Sequence, residues 1–325
     1  MRPFLLYALC VITLLTSCNW VNDDLSDCPT GTWLKISYTY NILDVDAAST
    51  QVGDITILAF DRNDKYVDRL DVDSITLHQG YCMVRVPFPE GTYHLVIWGG
   101  TSDRLKYRFP NLKTDQTERS SLNLSLVCDN ENQSKGKLNA LFYGSLENIS
   151  IGQEYRVVTA RLMKNTNYFS CVLQDEANGP VRQEDFAFTL EAANGTMDHT
   201  NTPVGADPVF YPSYQKEATI LSGEVPAVHA RLNTLRIMKG DGTILSIKHI
   251  PSGQNILRLP LTQYLLLSKI YNYIGEMDDQ EYLDRQDSYA LLFFIKTMDT
   301  GIPQICPMMK VNGWIIRLND SELDS

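Results

Sequence analysis

The 325-residue chain has no run of basic residues. It has no long apolar stretch past its first seventeen positions, and no short motif that marks a catalytic or metal centre. Each absence closes a class of function. Binding to nucleic acid needs clustered cations facing phosphates. Here 28 Lys and Arg stand against 39 Asp and Glu, a formal net charge of −11, so no nucleic-acid partner is expected. The same acidic balance disfavours a chain lying flat on an anionic leaflet. A membrane-spanning helix needs ~18 or more consecutive apolar residues. The longest later runs, 264–270 and 289–295, fall far short of that.

Catalytic signatures are equally scarce. There is no HExxH, GxGxxG, phosphate-binding loop or GxSxG elbow. The five histidines, His78, His94, His199, His229 and His249, have no Cys, Asp or Glu at metal-ligand spacing, so they read as ordinary strand or loop residues. No metal, no cofactor and no enzymatic activity are expected. The seven cysteines form no CxxC pair. Cys28, Cys82, Cys128, Cys171 and Cys306 read as small buried hydrophobes, with room for one structural disulfide of unassigned pairing. Their odd number would leave at least one thiol unpaired in an oxidising compartment.

What is present begins at residue 1. Arg2 precedes an apolar stretch from Phe4 to Thr16, the length and flanks of a signal peptide. It ends in Leu15-Thr16-Ser17-Cys18, which resembles a bacterial lipobox. Cleavage before Cys18 would leave 308 residues, with acyl chains on the cysteine sulfur holding them to a membrane. Residues 18–28 are polar, acidic and without periodicity, and read as a lipidated tether.

From residue 29 the pattern has period two. In Trp33–Tyr40, Leu34, Ile36, Tyr38 and Tyr40 alternate with mostly polar neighbours, the mark of a half-buried strand. Short strand-like runs recur at 54–60, 66–70, 81–86, 92–98, 121–127, 141–143 and 154–163. A similar series follows at 168–173, 186–192, 218–221, 228–238, 243–250, 255–259, 289–296 and 314–318. Turn chemistry such as Asp61-Arg62-Asn63-Asp64 separates them. The expectation is an all-β chain with two β-sandwich domains, 29–152 and 153–325, after a signal peptide (1–17) and tether (18–28). Residues 101–119 read as a surface connection, 200–214 as an irregular loop, 261–274 as helix or strand, and 277–287 as an acidic helical turn.

Two residue groups merit weighing. Asp278, Asp279, Glu281, Asp284 and Asp287 could form a glycosidase pair if two faced each other across a cleft; otherwise they are a solvated face. Trp33, Trp98 and Trp314 could stack on sugars if exposed on one side, which would favour a surface glycan-binding lipoprotein; each sits in a strand pattern and reads as core.

Several segments resemble the minor-fimbrium (FimB-type) anchoring subunits of Bacteroides-like bacteria. They are Asp24–Pro29 after Cys18, Tyr38–Ala47 with Gln51-Val52, and Ile57–Asp61. Pro89–Tyr93 with Ile97–Gly100, Leu162–Asn167, Asp279–Arg285 and Val311–Trp314 complete the set. Cys82, Cys128 and Cys171 fall outside that pattern. The resemblance implies tandem transthyretin-like β-sandwiches and a lipoprotein of the outer membrane that holds a fimbrium at the cell surface and limits its assembly. It implies shaft or accessory subunits as partners, joined by strand complementation, and membrane contact through lipid on Cys18. Asp23 and Asp24 resemble a surface-export signal. Asp73-Ser74-Ile75 resembles an O-glycosylation triplet.

Overall fold

The computed structural model describes residues 29–318, except 76, 79, 104, 273–276, 299 and 300. The chain is all-β, as expected. The first half contributes β1 (Thr32–Tyr40), a helical turn α1 (Ala48–Gln51), β2 (Ile55–Phe60) and β3 (Tyr66–Val72). It continues with β4 (Leu77–His78), β5 (Tyr81–Arg85), β6 (Gly91–Gly99), β7 (Tyr107–Arg108), β8 (Asn123–Leu126), β9 (Phe142–Ile151) and β10 (Arg156–Lys164). Eight of these strands form one sheet in the order β3-β2-β6-β9-β10-β1-β5-β4.

That sheet doubles over at one joint. β9 runs antiparallel along β6 and β10 runs parallel to β1. β9 and β10 themselves pair only at Met163 with Tyr143 and Lys164 with Phe142. So few rungs let the two limbs splay and face each other. Ile57, Leu95 and Ile97 of one limb then bury against the same core as Leu34, Ile36 and Leu162 of the other.

The expected boundary at residue 152 falls in the turn between β9 and β10, inside this sheet. The chain leaves the sheet only after Lys164. Turn chemistry at Gly152-Gln153 marks a chain reversal but does not say which sheet receives the next strand.

The second half contributes β11 (Asn167–Asp175), β12 (Phe186–Ala192), β13 (Thr196–Asp198), β14 (Val209–Pro212), β15 (Gln215–Leu221) and β16 (Val225–Thr234). After these come β17 (Ile244–His249), β18 (Gln254–Pro260), α2 (Leu261–Asn272), α3 (Asp279–Arg285), β19 (Ser288–Thr297), β20 (Pro303–Val311) and β21 (Trp314–Arg317). A six-stranded sheet, β15-β16-β11-β19-β20-β21, and a four-stranded sheet, β14-β12-β17-β18, share one core. Phe169, Leu173 and Phe293 of the first sheet and Phe188, Leu245 and Leu257 of the second all belong to it.

The segment 261–274, ambiguous in sequence, is helical over 261–272. Pro260 ends the preceding strand, and Leu261, Tyr264, Leu265 and Ser268 bury at helical spacing. Asp278 caps α3, its carboxylate accepting from Glu281 N–H at 2.7 Å.

The halves are joined by more than a linker. A three-stranded sheet, β13-β8-β7, takes two strands from the first half and one from the second. Leu58, Phe60 and Trp98, on the outer side of the first sheet, belong to the second half's core cluster.

Candidate functional site: the junction and the open sheet edges

Cys18, Asp23, Asp24 and Cys28 lie outside the described residues. Ser74 is exposed in the bend between β3 and β4. Among the described residues no helix is long and apolar enough to cross a membrane.

The acidic series 278–287 turns out to be neither a solvated face nor a facing pair. Asp278 is the α3 cap. Asp279 accepts from Lys269 and Lys239, both at 2.7 Å, and these hydrogen bonds hold its carboxyl below the usual range. Glu281 accepts from Arg285 Nε at 2.7 Å. Asp284, only 7 % exposed, takes a two-pronged contact from Arg236, Nε at 2.8 Å and Nη2 at 2.7 Å. Asp287 accepts from Lys164 Nζ at 2.6 Å. With every carboxylate committed to a cation or to a backbone N–H, the group has structural work, not acid–base work.

These contacts reach across the molecule. Arg285 stacks over the Tyr40 ring at 4.4 Å and donates through Nη1 to Asp44 at 2.5 Å. Its carbonyl accepts from Ile42 N–H at 3.0 Å. Arg236 Nη1 donates to the Asn201 carbonyl at 2.5 Å, and the Asn201 and Asn165 side-chain amides bond reciprocally at 2.5 and 3.0 Å. Three of the segments quoted above, 38–47, 162–167 and 279–285, therefore meet around one cleft of about 530 Å³, lined by Tyr40, Tyr143, Arg161, Asn201, Arg236 and Arg285. Sequence gave no sign of this meeting, because the partners lie up to 244 positions apart.

The other sequence candidates divide. Asp61-Arg62-Asn63-Asp64 is the turn after β2, where the Asp61 carboxylate accepts from Asn63 and Lys65 N–H at 2.8 and 2.9 Å. His94 pairs with Glu147, His229 hydrogen-bonds Ser170 at 2.8 Å, and His249 hydrogen-bonds Ser252 at 2.9 Å. Trp98 is fully buried, Trp33 is half-buried, and Trp314 is exposed on the far sheet. They form no common aromatic platform. Cys82, Cys128, Cys171 and Cys306 are free thiols. Burial raises all four pKa values, Cys306 to about 11 with help from Glu176.

Strand edges differ in how they are guarded. Charged side chains, bulges and covering loops normally blunt an edge. β3 carries Asp68, Arg69 and Asp71, and its Tyr66 is hydrogen-bonded by the 113–117 loop. β15 carries Lys216 and Glu217. Of these three, β21, sequence Trp-Ile-Ile-Arg, carries the least charge: Ile315 is 63 % exposed and the strand's one charge is Arg317.

Comparison with known proteins fits this architecture. The sequence model of the fimbrillin-A associated anchor proteins Mfa1 and Mfa2 matches residues 25–320. The chain belongs to this family. Among its relatives, the minor fimbrium anchoring subunit Mfa2 of Porphyromonas gingivalis is 23% identical, over 95% of this chain and 92% of the relative. A putative adhesin from Bacteroides thetaiotaomicron superposes with a TM-score of 0.77 at 27% identity, covering 91% of this chain and all of the other. The structure of the fimbrial anchor protein Mfa2 from Porphyromonas gingivalis superposes with a TM-score of 0.68 at 18% identity, over 90% of this chain and all of that one. The ion pairs of Lys164 with Asp287 and Arg285 with Asp44, together with the shared sheet, join the two halves.

Proposed function

We propose that the chain is the lipid-anchored base of a fimbrium at the outer-membrane surface. One observation carries this reading. The family match begins at residue 25, seven positions after the Leu15-Thr16-Ser17-Cys18 sequence, so an anchor-family fold follows directly on a lipid attachment signal. Lipid on Cys18 fixes the base, and Asp23 and Asp24 serve as the export signal to the outer face. The two halves carry load from the bilayer to the first shaft subunit. That subunit joins by strand complementation, which draws affinity from main-chain hydrogen bonds and register from side-chain pockets. β21 is the edge whose apolar, lightly charged sequence suits an added strand best.

The test compares the wild type with Cys18→Ala and Ile315→Lys in cells that make fimbriae. Acylation is read by mass spectrometry of the N-terminal peptide. Subunit capture is read by cross-linking of solubilised outer membranes. Cys18→Ala should lose the acyl mass and shed fimbriae into the medium. Ile315→Lys should keep the lipid and lose the shaft subunit. Fimbriae that stay cell-bound without Cys18 would overturn the anchor reading, and undiminished capture by Ile315→Lys would move the contact to another edge.

A further inference from the structure

We propose that the outer face of β10, β1 and β5 is a docking surface for an anionic bilayer. The proposal rests on the lipid-anchor reading for its geometry, and its test is separable from that reading.

The chain carries 39 acidic residues, yet β1, β5 and β10 contain no Asp or Glu in their 23 residues. Strand alternation sorts their side chains. Leu34, Ile36, Val84 and Leu162 point into the core, while the opposite face presents cations and amphipathic rings. Register places Trp33 between Arg85 and Val157, and Lys35 between Met83 and Thr159; Ser37 is paired with Arg161. Arg85 and Arg161 are exposed, and Val157 and Tyr81 are 42 % and 51 % exposed. Lys35 Nζ sits 3.5 Å from the Tyr81 ring centroid. The Trp33 indole N–H donates to the Thr30 carbonyl at 2.9 Å, which holds the ring beside the point where the chain enters the fold.

Among the described residues, Lys35, Arg85 and Arg161 take part in no salt bridge, though Lys35 lies in the field of the Asp46 carboxylate and Arg161 also borders the junction cleft. Asp46 accepts from Tyr38 and Ala48 N–H, and Glu147 pairs with Arg119 at 2.6 Å.

Two arguments select the occupant. The first is chemical. Lys and Arg interleaved with Trp and Tyr is the composition that settles at headgroup level, where cations meet anionic lipid and amphipathic rings sit at the interface. The second is reach. β1 is the first strand of the fold, and the eleven-residue tether 18–28, followed by residues 29–31, leads from the proposed lipid to it. At ~3.3–3.6 Å per residue the tether spans at most about 40 Å, which keeps this face at high effective concentration near the bilayer. The acidic average of the whole chain hides the patch. The inference inverts the expectation drawn from net charge, for this one face.

The test uses the mature chain with Cys18→Ser, free of lipid, so that acylation plays no part. Co-sedimentation is measured with vesicles of phosphatidylcholine alone and with a third phosphatidylglycerol. The wild type should bind the anionic vesicles and not the neutral ones, and binding should weaken with added salt. At ~1 kcal/mol for each cation near such a surface, the triple variant Lys35→Gln, Arg85→Gln, Arg161→Gln should bind about a hundredfold more weakly. Its thermal melt should stay close to that of the wild type, since none of the three side chains enters a core or a salt bridge. A control on the other half, Lys248→Gln with Lys296→Gln and Arg317→Gln, should bind like the wild type. Equal binding to both vesicle types, no binding, or loss in the control triple equal to that in the patch triple would each overturn the proposal. Failure of Cys18 acylation in cells would sink the lipid-anchor reading and leave the vesicle result standing.

Discussion

Gly144 lies on β9 where β10 crosses closest. A Cβ there would come within 2.7 Å of Leu162 Cδ2 and 2.8 Å of the Arg161 carbonyl oxygen. The carbonyl belongs to a paired strand and has little freedom to move. Gly144→Ala should therefore lower stability by about 1–3 kcal/mol, the usual range for overpacking, read as a reduced urea midpoint with unchanged slope. An unshifted midpoint would mean that the joint is looser than its geometry indicates. The buried pair gives a contrast at the same scale. Asp284→Ala strands the Arg236 guanidinium, and breaking a buried pair in this way costs ~3–5 kcal/mol. Glu281→Ala removes a carboxylate whose side chain is 32 % exposed, in a class of surface pairs contributing ~0–1 kcal/mol. The two variants should separate clearly in a denaturant titration. Neither role was legible in sequence. Gly144 stands just past the strand-like run 141–143, and Asp284 is one acid in a series of five, distinguished by an Arg partner 48 positions away.

At the scale of elements, period-two patterning located most strands because one face of each is buried. It failed where both cues weaken. β9 extends to Ile151, yet only its first residues look strand-like, since Gly144, Ser145, Glu147 and Asn148 interrupt the pattern. β20 is absent from the strand-like runs, and its Pro303 and Pro307 weaken the strand pattern there. Pro303 starts that strand, a position where a missing N–H is tolerated, and the β19–β20 register shifts between Phe293 and Ile295, opposite Pro307. Helix α3 was legible as a helical turn but not as a clasp. Its attachment is pH-sensitive. Hydrogen bonds from Lys239 and then Lys269 lower the Asp279 carboxyl relative to its ordinary value of about 3.9. A depressed carboxyl contributes stability above its unfolded pKa, and the contribution fades as pH falls through the lower folded value. The wild type should thus lose stability as pH falls below about 5, and Asp279→Asn should lose less over the same descent. Parallel pH profiles for the two proteins would remove Asp279 from the account.

At the scale of the whole molecule, the sequence suggests two tandem β-sandwich domains, and the structure adds that they share a sheet and a core. β13 of the second half pairs with β8 of the first. The core cluster containing Phe188 and Phe293 also takes in Leu58, Phe60 and Trp98. Inter-domain interfaces within a chain are usually small and polar, and permit relative motion. A shared sheet and a continuous core couple the halves instead, so that exposing one core opens part of the other. Calorimetry of the mature, lipid-free chain should therefore show one unfolding transition, with calorimetric and van't Hoff enthalpies in agreement. The link can be weakened at one point. Met197, fully buried on β13, faces Leu124 of β8, itself 2 % exposed. Met197→Ala should cost ~2–5 kcal/mol for the lost contacts and the cavity left behind, and should begin to split the single transition into two. Two resolved transitions already in the wild type would mean that the halves unfold independently, despite the shared sheet and the ion pairs of Lys164 with Asp287 and Arg285 with Asp44 that cross between them.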